Sequence, residues 1–322
     1  MQGSYYQRCR RPWTLPFLGE EPMPEYAQLK ARLKGGLLTD EPLSRHTSFR
    51  IGGPADALVL AETLEDLKAC LDFAQEQGLP LFILAAGTNL LVRDGGMRGL
   101  VLKLEGDFKS MAFDGRRVRC GAGANLALLS RRAGEASLSG LEFAIGIPGT
   151  LGGGLVMNAG AHGGELSRVV RRLGTLEGGE LRECPAEEAG FTYRGSRFKG
   201  GSGLILWADL ELVPGDYETI QARMKEALDQ RRGSQPLALP NAGCVFKNPP
   251  GASAGRLIEE CGLKGLRRGG ATVSTLHANF IVNEGGARAS DVLGLMQVVR
   301  ERVKKEKGVS LENEVLVVGM DE

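Results

Sequence analysis

The chain has 322 residues, of which 42% are hydrophobic and 25% charged, with a formal net charge of +1. That balance suits a folded globular protein long enough for two or three domains, and it leaves no broad cationic surface for nucleic acid. Six scattered cysteines form no CxxC pair, and His46, His162 and His277 have no metal-ligand spacing, so no metal site is expected.

Residues 1–24 show no periodicity and read as a disordered N-terminal extension. After a polar entry at 44–48, Arg50-Ile51-Gly52-Gly53-Pro54 reads as a turn and 57–61 as a strand. A helix is predicted over 63–78, capped by Thr63, ended by Gly78, with Leu64, Leu67, Leu71 and Ala74 on its apolar face. Strands at 80–85 and 99–104 flank the loop Ala86-Gly87-Thr88-Asn89. Asp94, Arg131 and Arg132 read as solvated.

A strand at 116–122 and a helix at 125–139 follow, then strands at 168–177 and 180–183 joined by Gly178-Gly179. A strand at 204–213 and a charged helix at 216–232 close this region. Arg231 to Pro236 is the expected boundary to a smaller unit, with helices at 253–261 and 289–305 and a strand at 277–283. A strand is predicted over 311–319. The fold class is α+β. No apolar stretch is long enough for a bilayer, and scattered cysteines without a secretory signal fit the cytoplasm.

The centre of the chain is GIPGTLGGGLVMNAGAHGGEL, residues 146–166, with eight glycines and no charged residue before Glu165. Its core-type residues, among them Ile147, Leu151 and Leu155, argue against a flexible linker. Glycine this dense lets backbone N–H groups approach an anion. The loop 86–89 has the same character. Neither is a Walker A loop, and GAGANL at 121–126 lacks the last glycine of a GxGxxG fingerprint. Two such loops point to a dinucleotide held outside a Rossmann fingerprint.

Three places carry possible chemistry. Arg194 lies in YRGSRFK (193–199), where Tyr193 and Phe198 interleave the cations; a surface role and a carboxylate-binding role are both open. Cys244 lies in NAGCVFKNP, where a buried structural thiol is the plain alternative. Glu314 lies in LENEVLVVG, where an exposed strand carboxylate is the plain alternative and Glu312 the natural control.

GTNLLV, the 146–166 stretch, YRGSRFK, NAGCVFKNPPG and LENEV, in that order, closely resemble the UDP-N-acetylenolpyruvoylglucosamine reductase family, over about Pro42 to Gly319. The resemblance implies a flavoenzyme that makes UDP-N-acetylmuramate for bacterial peptidoglycan from UDP-N-acetylglucosamine enolpyruvate. It implies the two-subdomain FAD-binding fold of the vanillyl-alcohol-oxidase type plus a substrate-binding domain. The expected divisions are 25–105 and 106–232 for FAD, 233–310 for substrate, and a strand in 311–322 that returns to the active site. The short span from Lys199 to Asn241 resembles the branch without an extra substrate-clamping loop.

By the same resemblance, Arg194, Cys244 and Glu314 are catalytic. Hydride would pass from NADPH to FAD and on to the substrate, with the proton from Cys244 where the family often has serine. FAD would lie on Ala86, Gly87, Thr88, Asn89, Gly123, Gly146, Pro148, Gly149, Thr150, Gly153, Asn158, Ala159 and Gly160. Tyr193, Lys247, Asn248, His277 and Asn279 would meet the substrate. No nucleic acid, membrane or metal is expected, and the chain is expected to be a monomer. An FAD-dependent sugar or alcohol oxidase of the same fold is one rival; many of those tether FAD through a histidine, and 85–89 has none. A non-enzymatic nucleotide-binding protein is the other.

Overall fold

A computed structural model describes residues 26–201 and 203–322; the extension expected over 1–24 lies outside them. The first sheet runs in the order Gly36–Pro42, Pro54–Ala61, Met97–Leu104, Leu81–Ile83. Its first pair is antiparallel and the other two are parallel. The sequence reading missed Gly36–Pro42, because this edge strand buries only Leu37 fully and so has no clear alternation.

The helix Leu64–Glu76 covers this sheet and starts at Thr63 as expected. Its buried face differs from the expected one: it holds Asp66, Leu67, Cys70, Phe73 and Ala74. The reason is Asp66. Its carboxylate turns inward to accept the N–H groups of Lys34 (2.7 Å), Gly35 (3.2 Å), Glu62 (2.9 Å) and Thr63 (3.3 Å). A buried carboxylate is tolerable only with such partners.

The second sheet is antiparallel throughout, in the order Glu180–Pro185, Val170–Glu177, Leu204–Glu211, Arg117–Gly121, Met111–Asp114. Gly174 is fixed by its partner Trp207, whose ring would lie 2.0 Å from a side chain there. The helix Leu126–Glu135 and the glycine-rich helix Leu151–Val156 pack into this sheet's core. The charged helix Tyr217–Ser234 buries only Ile220, Met224 and Ala227.

The third unit has the small sheet Arg267–Arg268, Ala271–Val273, Ile281–Asn283, with the helices Ala254–Glu260 and Ala289–Lys307. The strand expected at 277–283 keeps only its last three residues. Ser274 Oγ accepts the N–H groups of Leu276 and His277 and bends the chain before it. The core here includes Phe49, Ile51 and Leu91, so the first unit docks directly on the third.

The strand expected over 311–319 is confined to Leu316–Val318, which pairs in parallel with Leu90–Val92 of the first unit. Residues before it bridge instead to the third unit, Asn313 opposite Phe246. Asp94 is not solvated: its carboxylate accepts from Ala289 N (2.7 Å) and Ser290 N (3.0 Å) and caps the last helix from outside. No described helix is long and apolar enough to cross a membrane.

Candidate active site

The two glycine loops meet. Thr88 Oγ1 donates to Pro148 O at 3.1 Å. Gly87 sits at φ +62°, and a side chain there would lie 2.3 Å from the His46 carbonyl, so only glycine passes. Along 150–156, Thr150 Oγ1 accepts from Gly153 N (3.2 Å) and starts the short helix. Gly149, at φ +139°, has only Thr88 Oγ1 near its missing side chain, at 3.4 Å. The loops therefore leave a strip of open space walled by a hydroxyl, which fits a flat phosphorylated group.

The other residues expected at the cofactor have packing duties. A side chain on Gly123 would meet the Leu104 carbonyl at 2.4 Å, and one on Gly160 the Gly164 carbonyl at 2.5 Å. Gly146 faces the Arg231 side chain at 3.3 Å. Ala86 is half-buried, and Ala159 N donates to Gly154 O at 2.8 Å. Asn158, buried at φ +43°, donates to Thr192 O (3.2 Å) and accepts from Ser167 N (3.1 Å). It ties the glycine-rich stretch to the loop that carries Arg194. Asn89 donates from Nδ2 to Glu314 O at 3.2 Å and accepts Leu316 N at 3.0 Å.

Arg194 stands at the tip of a turn closed by Thr192 N to Gly195 O (3.0 Å) and Gly195 N to Thr192 O (3.2 Å). Its φ of +57° is a strained position for a side-chain-bearing residue. Nη1 donates to Gly160 O at 3.1 Å, and Ser196 Oγ donates to Val156 O at 2.9 Å, fastening the turn to the glycine-rich stretch. Nε lies 3.1 Å from Glu314 Oε1, an ion pair not aligned as a hydrogen bond. Tyr193 is exposed, with its ring centroid 5.4 Å from Arg194 Cζ.

Glu314 is presented by its backbone, whose N–H donates to Val245 O at 2.8 Å. Burial pushes its carboxyl above the usual range, while Arg194, Lys199 and Lys247 pull it partly back. Cys244 sits one residue before Val245. Burial, then the charge of Glu314, pushes its thiol up to about 12, against the opposing pull of Arg194 and a hydrogen bond from Asn279. Its neighbour Gly243, at φ +77°, has open space where a side chain would stand. Arg194, Glu314 and Cys244 thus converge from three distant stretches beside the glycine loops.

Asn279 is buried and spent on the protein itself: Nδ2 donates to Phe246 O (2.7 Å) and Oδ1 accepts from Phe246 N (3.0 Å). It therefore sets the backbone that presents Cys244. His277 accepts Asn279 N at Nδ1 (3.2 Å), lies edge-on to Phe280, and burial pushes its imidazole pKa down. Asn248 Oδ1 accepts Ala254 N at 3.0 Å and holds the start of a helix. Lys247 Nζ pairs with Glu312 at 3.0 Å, so the control carboxylate lies at the rim. The sequence reading did not single out Lys199, whose Nζ donates to Arg194 O at 3.2 Å. It is the third cation of YRGSRFK, and that density was the available signal.

A family model described as UDP-N-acetylenolpyruvoylglucosamine reductase, C-terminal domain, matches residues 235–318. A second, described as FAD binding domain, matches residues 55–184. The chain is 50% identical over 300 residues to UDP-N-acetylenolpyruvoylglucosamine reductase 2 of Symbiobacterium thermophilum, covering 92% of this chain and 97% of that one. It is 47% identical over 293 residues to a reductase of the same name from Moorella thermoacetica, covering 91% and 96%. Among solved structures it is similar to the UDP-N-acetylenolpyruvylglucosamine reductase of Thermus caldophilus, with a TM-score of 0.77, 40% identity, and 89% and 99% of the two chains covered.

Proposed function

The chain belongs to the UDP-N-acetylenolpyruvoylglucosamine reductase family, and from that premise we propose that Arg194, Glu314 and Cys244 perform its chemistry. The protein is an oxidoreductase of α+β fold with an FAD-binding domain of the vanillyl-alcohol-oxidase type. It converts UDP-N-acetylglucosamine enolpyruvate to UDP-N-acetylmuramate with NADPH as reductant, a step of peptidoglycan precursor synthesis in the cytoplasm. The first two sheets would make the two FAD-binding subdomains and residues 233–310 the substrate domain. The 311–322 segment then carries Glu314 between them.

FAD, when bound, supplies the two-electron chemistry, hydride in from NADPH and hydride out to the enolpyruvyl double bond. The residues that would hold it are those of the 86–89 and 146–160 loops. Their fit rests on the open strip at Gly149 and the glycine-only turn at Gly87.

What the protein must then do is manage charge and a proton. Hydride arriving at the methylene carbon leaves negative charge on the carbon beside the carboxylate. The Arg194 guanidinium, fixed by Gly160 O and Glu314, is placed to stabilise that charge. Glu314 keeps Arg194 oriented through their ion pair. Cys244 holds a proton at neutral pH, because its thiol is pushed up to about 12. That carbanion-like carbon is a far stronger base than a thiolate, so transfer from Sγ runs downhill.

The observation that carries this reading is the convergence of an arginine, a half-buried carboxyl and a thiol beside a glycine-built cradle. The test separates the two half-reactions in anaerobic stopped flow. Cys244→Ala should leave flavin reduction by NADPH nearly intact and slow reoxidation by the enolpyruvyl ether by on the order of 10²–10⁴. Equal damage to both halves would assign Cys244 to folding or binding instead.

A further inference from the structure

We propose that Lys199 is a further substrate-binding residue and that its ammonium takes the carboxylate of the enolpyruvyl group. The inference rests on the reaction given above. Charge accounting around Glu314 leads to it. Arg194 pairs with Glu314 at 3.1 Å and Lys247 with Glu312 at 3.0 Å. Lys199 acts on the same group: its charge pulls on Glu314, and Lys247 in turn acts on Lys199. Its hydrogen bond goes to a neutral acceptor, the Arg194 carbonyl at 3.2 Å. Among the described residues of this cluster, three cations face two carboxylates.

Lys199 is exposed, and its one protein hydrogen bond leaves two of the three ammonium donors to water or to an arriving anion. Burial and then the charge of Lys247 push the Lys199 ammonium below its ordinary value, against the pull of Glu314. An anion arriving here opposes that push.

The position of Lys199 is also fixed. It lies in the 3₁₀ turn Arg197–Gly200. Arg197 forks onto the Glu177 carboxylate at 2.6 and 3.1 Å, and Phe198 is buried beneath. The bond to the Arg194 carbonyl then tethers the ammonium to the residue expected at the reacting carbon. The substrate's carboxylate is attached to that carbon; its diphosphate is a whole sugar away. This is why the carboxylate is the anion assigned.

The test is calorimetric titration of the oxidised, FAD-loaded protein, which does not turn over without NADPH. Two ligands are compared: UDP-N-acetylglucosamine enolpyruvate, and UDP-N-acetylglucosamine, which has the diphosphate but no carboxylate. Lys199→Gln should raise Kd for the first about tenfold or more, the value of a charged hydrogen bond. Kd for the second should not change. Lys199→Arg should keep most of the binding. Equal weakening of both ligands would overturn the assignment and give Lys199 to the diphosphate; unchanged binding of both would overturn it outright. Failure of the unmodified protein to bind the enolpyruvyl ether would count against the proposed function and not against Lys199. Unchanged flavin absorbance and melting temperature would establish that the variants are folded.

Discussion

The Cys244 thiol, pushed up to about 12 chiefly by burial, stays protonated across the neutral range. Alkylating reagents attack the thiolate. At pH 8, iodoacetamide should therefore modify Cys244 on the order of a thousandfold more slowly than a free cysteine of ordinary pKa. Mass spectrometry of the Cys244 peptide over time would measure this; alkylation at the free-cysteine rate would contradict a proton held in place. Glu314→Gln makes a second residue-scale test. It keeps the size of the side chain but removes the partner of Arg194, and reoxidation by substrate should fall about 10²-fold or more. Glu312→Gln, at the rim against Lys247, should lose only a small part of that.

At the scale of elements, the helix Leu64–Glu76 depends on one carboxylate. Burial pushes the Asp66 pKa up, but four backbone N–H donors outweigh it and hold the group below its ordinary value. A depressed carboxylate contributes stability that is present above the unfolded pKa, about 3.9, and drains away as pH falls through the lower folded value. Asp66→Ala should cost about 3 kcal/mol at pH 7 by leaving several N–H groups unpaired, and less at pH 3. Denaturant melts at the two pH values measure it, and an equal loss at both would contradict the account. Asp94→Ala should cost about 1 kcal/mol as a lost helix cap.

Elements differ in how far the sequence announces them. The Thr63 cap, the Gly178-Gly179 hairpin and the long helix Ala289–Lys307 carry their own local signals, so they were legible. Gly36–Pro42 and Met111–Asp114 are edge strands, half solvated, the first without a clear alternation and the second only four residues long. The Asp66 and Asp94 contacts reach across the fold to Lys34 and Ala289, and spacing along a chain cannot display such pairs. The same holds for the site. Arg194, Cys244 and Glu314 were legible as motifs, but the packing duties of Asn158, Asn248 and Asn279 emerge only in three dimensions.

At the scale of the whole molecule, the first unit is locked to the third near the site. Ser48 Oγ donates to Asn241 O at 2.6 Å, Asn283 Nδ2 to Phe49 O at 3.1 Å, and the strand Leu316–Val318 lies on Leu90–Val92. A cofactor in the cradle would join the first unit to the second, so FAD at a hundredfold excess over Kd should stabilise the fold by about 2.7 kcal/mol. Gly149→Val fills the open strip at φ +139° and should abolish that gain. Melting temperature with and without FAD reads it, and a variant still stabilised by FAD would remove the cofactor from this strip.

The molecule as a whole should pass a hydride from NADPH to an enolpyruvyl ether. One anaerobic absorbance experiment tests it on the unmodified, FAD-loaded protein. NADPH is added first, then UDP-N-acetylglucosamine enolpyruvate. The flavin band should bleach with the first addition and return with the second, in step with formation of UDP-N-acetylmuramate. A band that bleaches and stays bleached would contradict the assigned substrate, and a protein that binds no flavin would contradict the site itself.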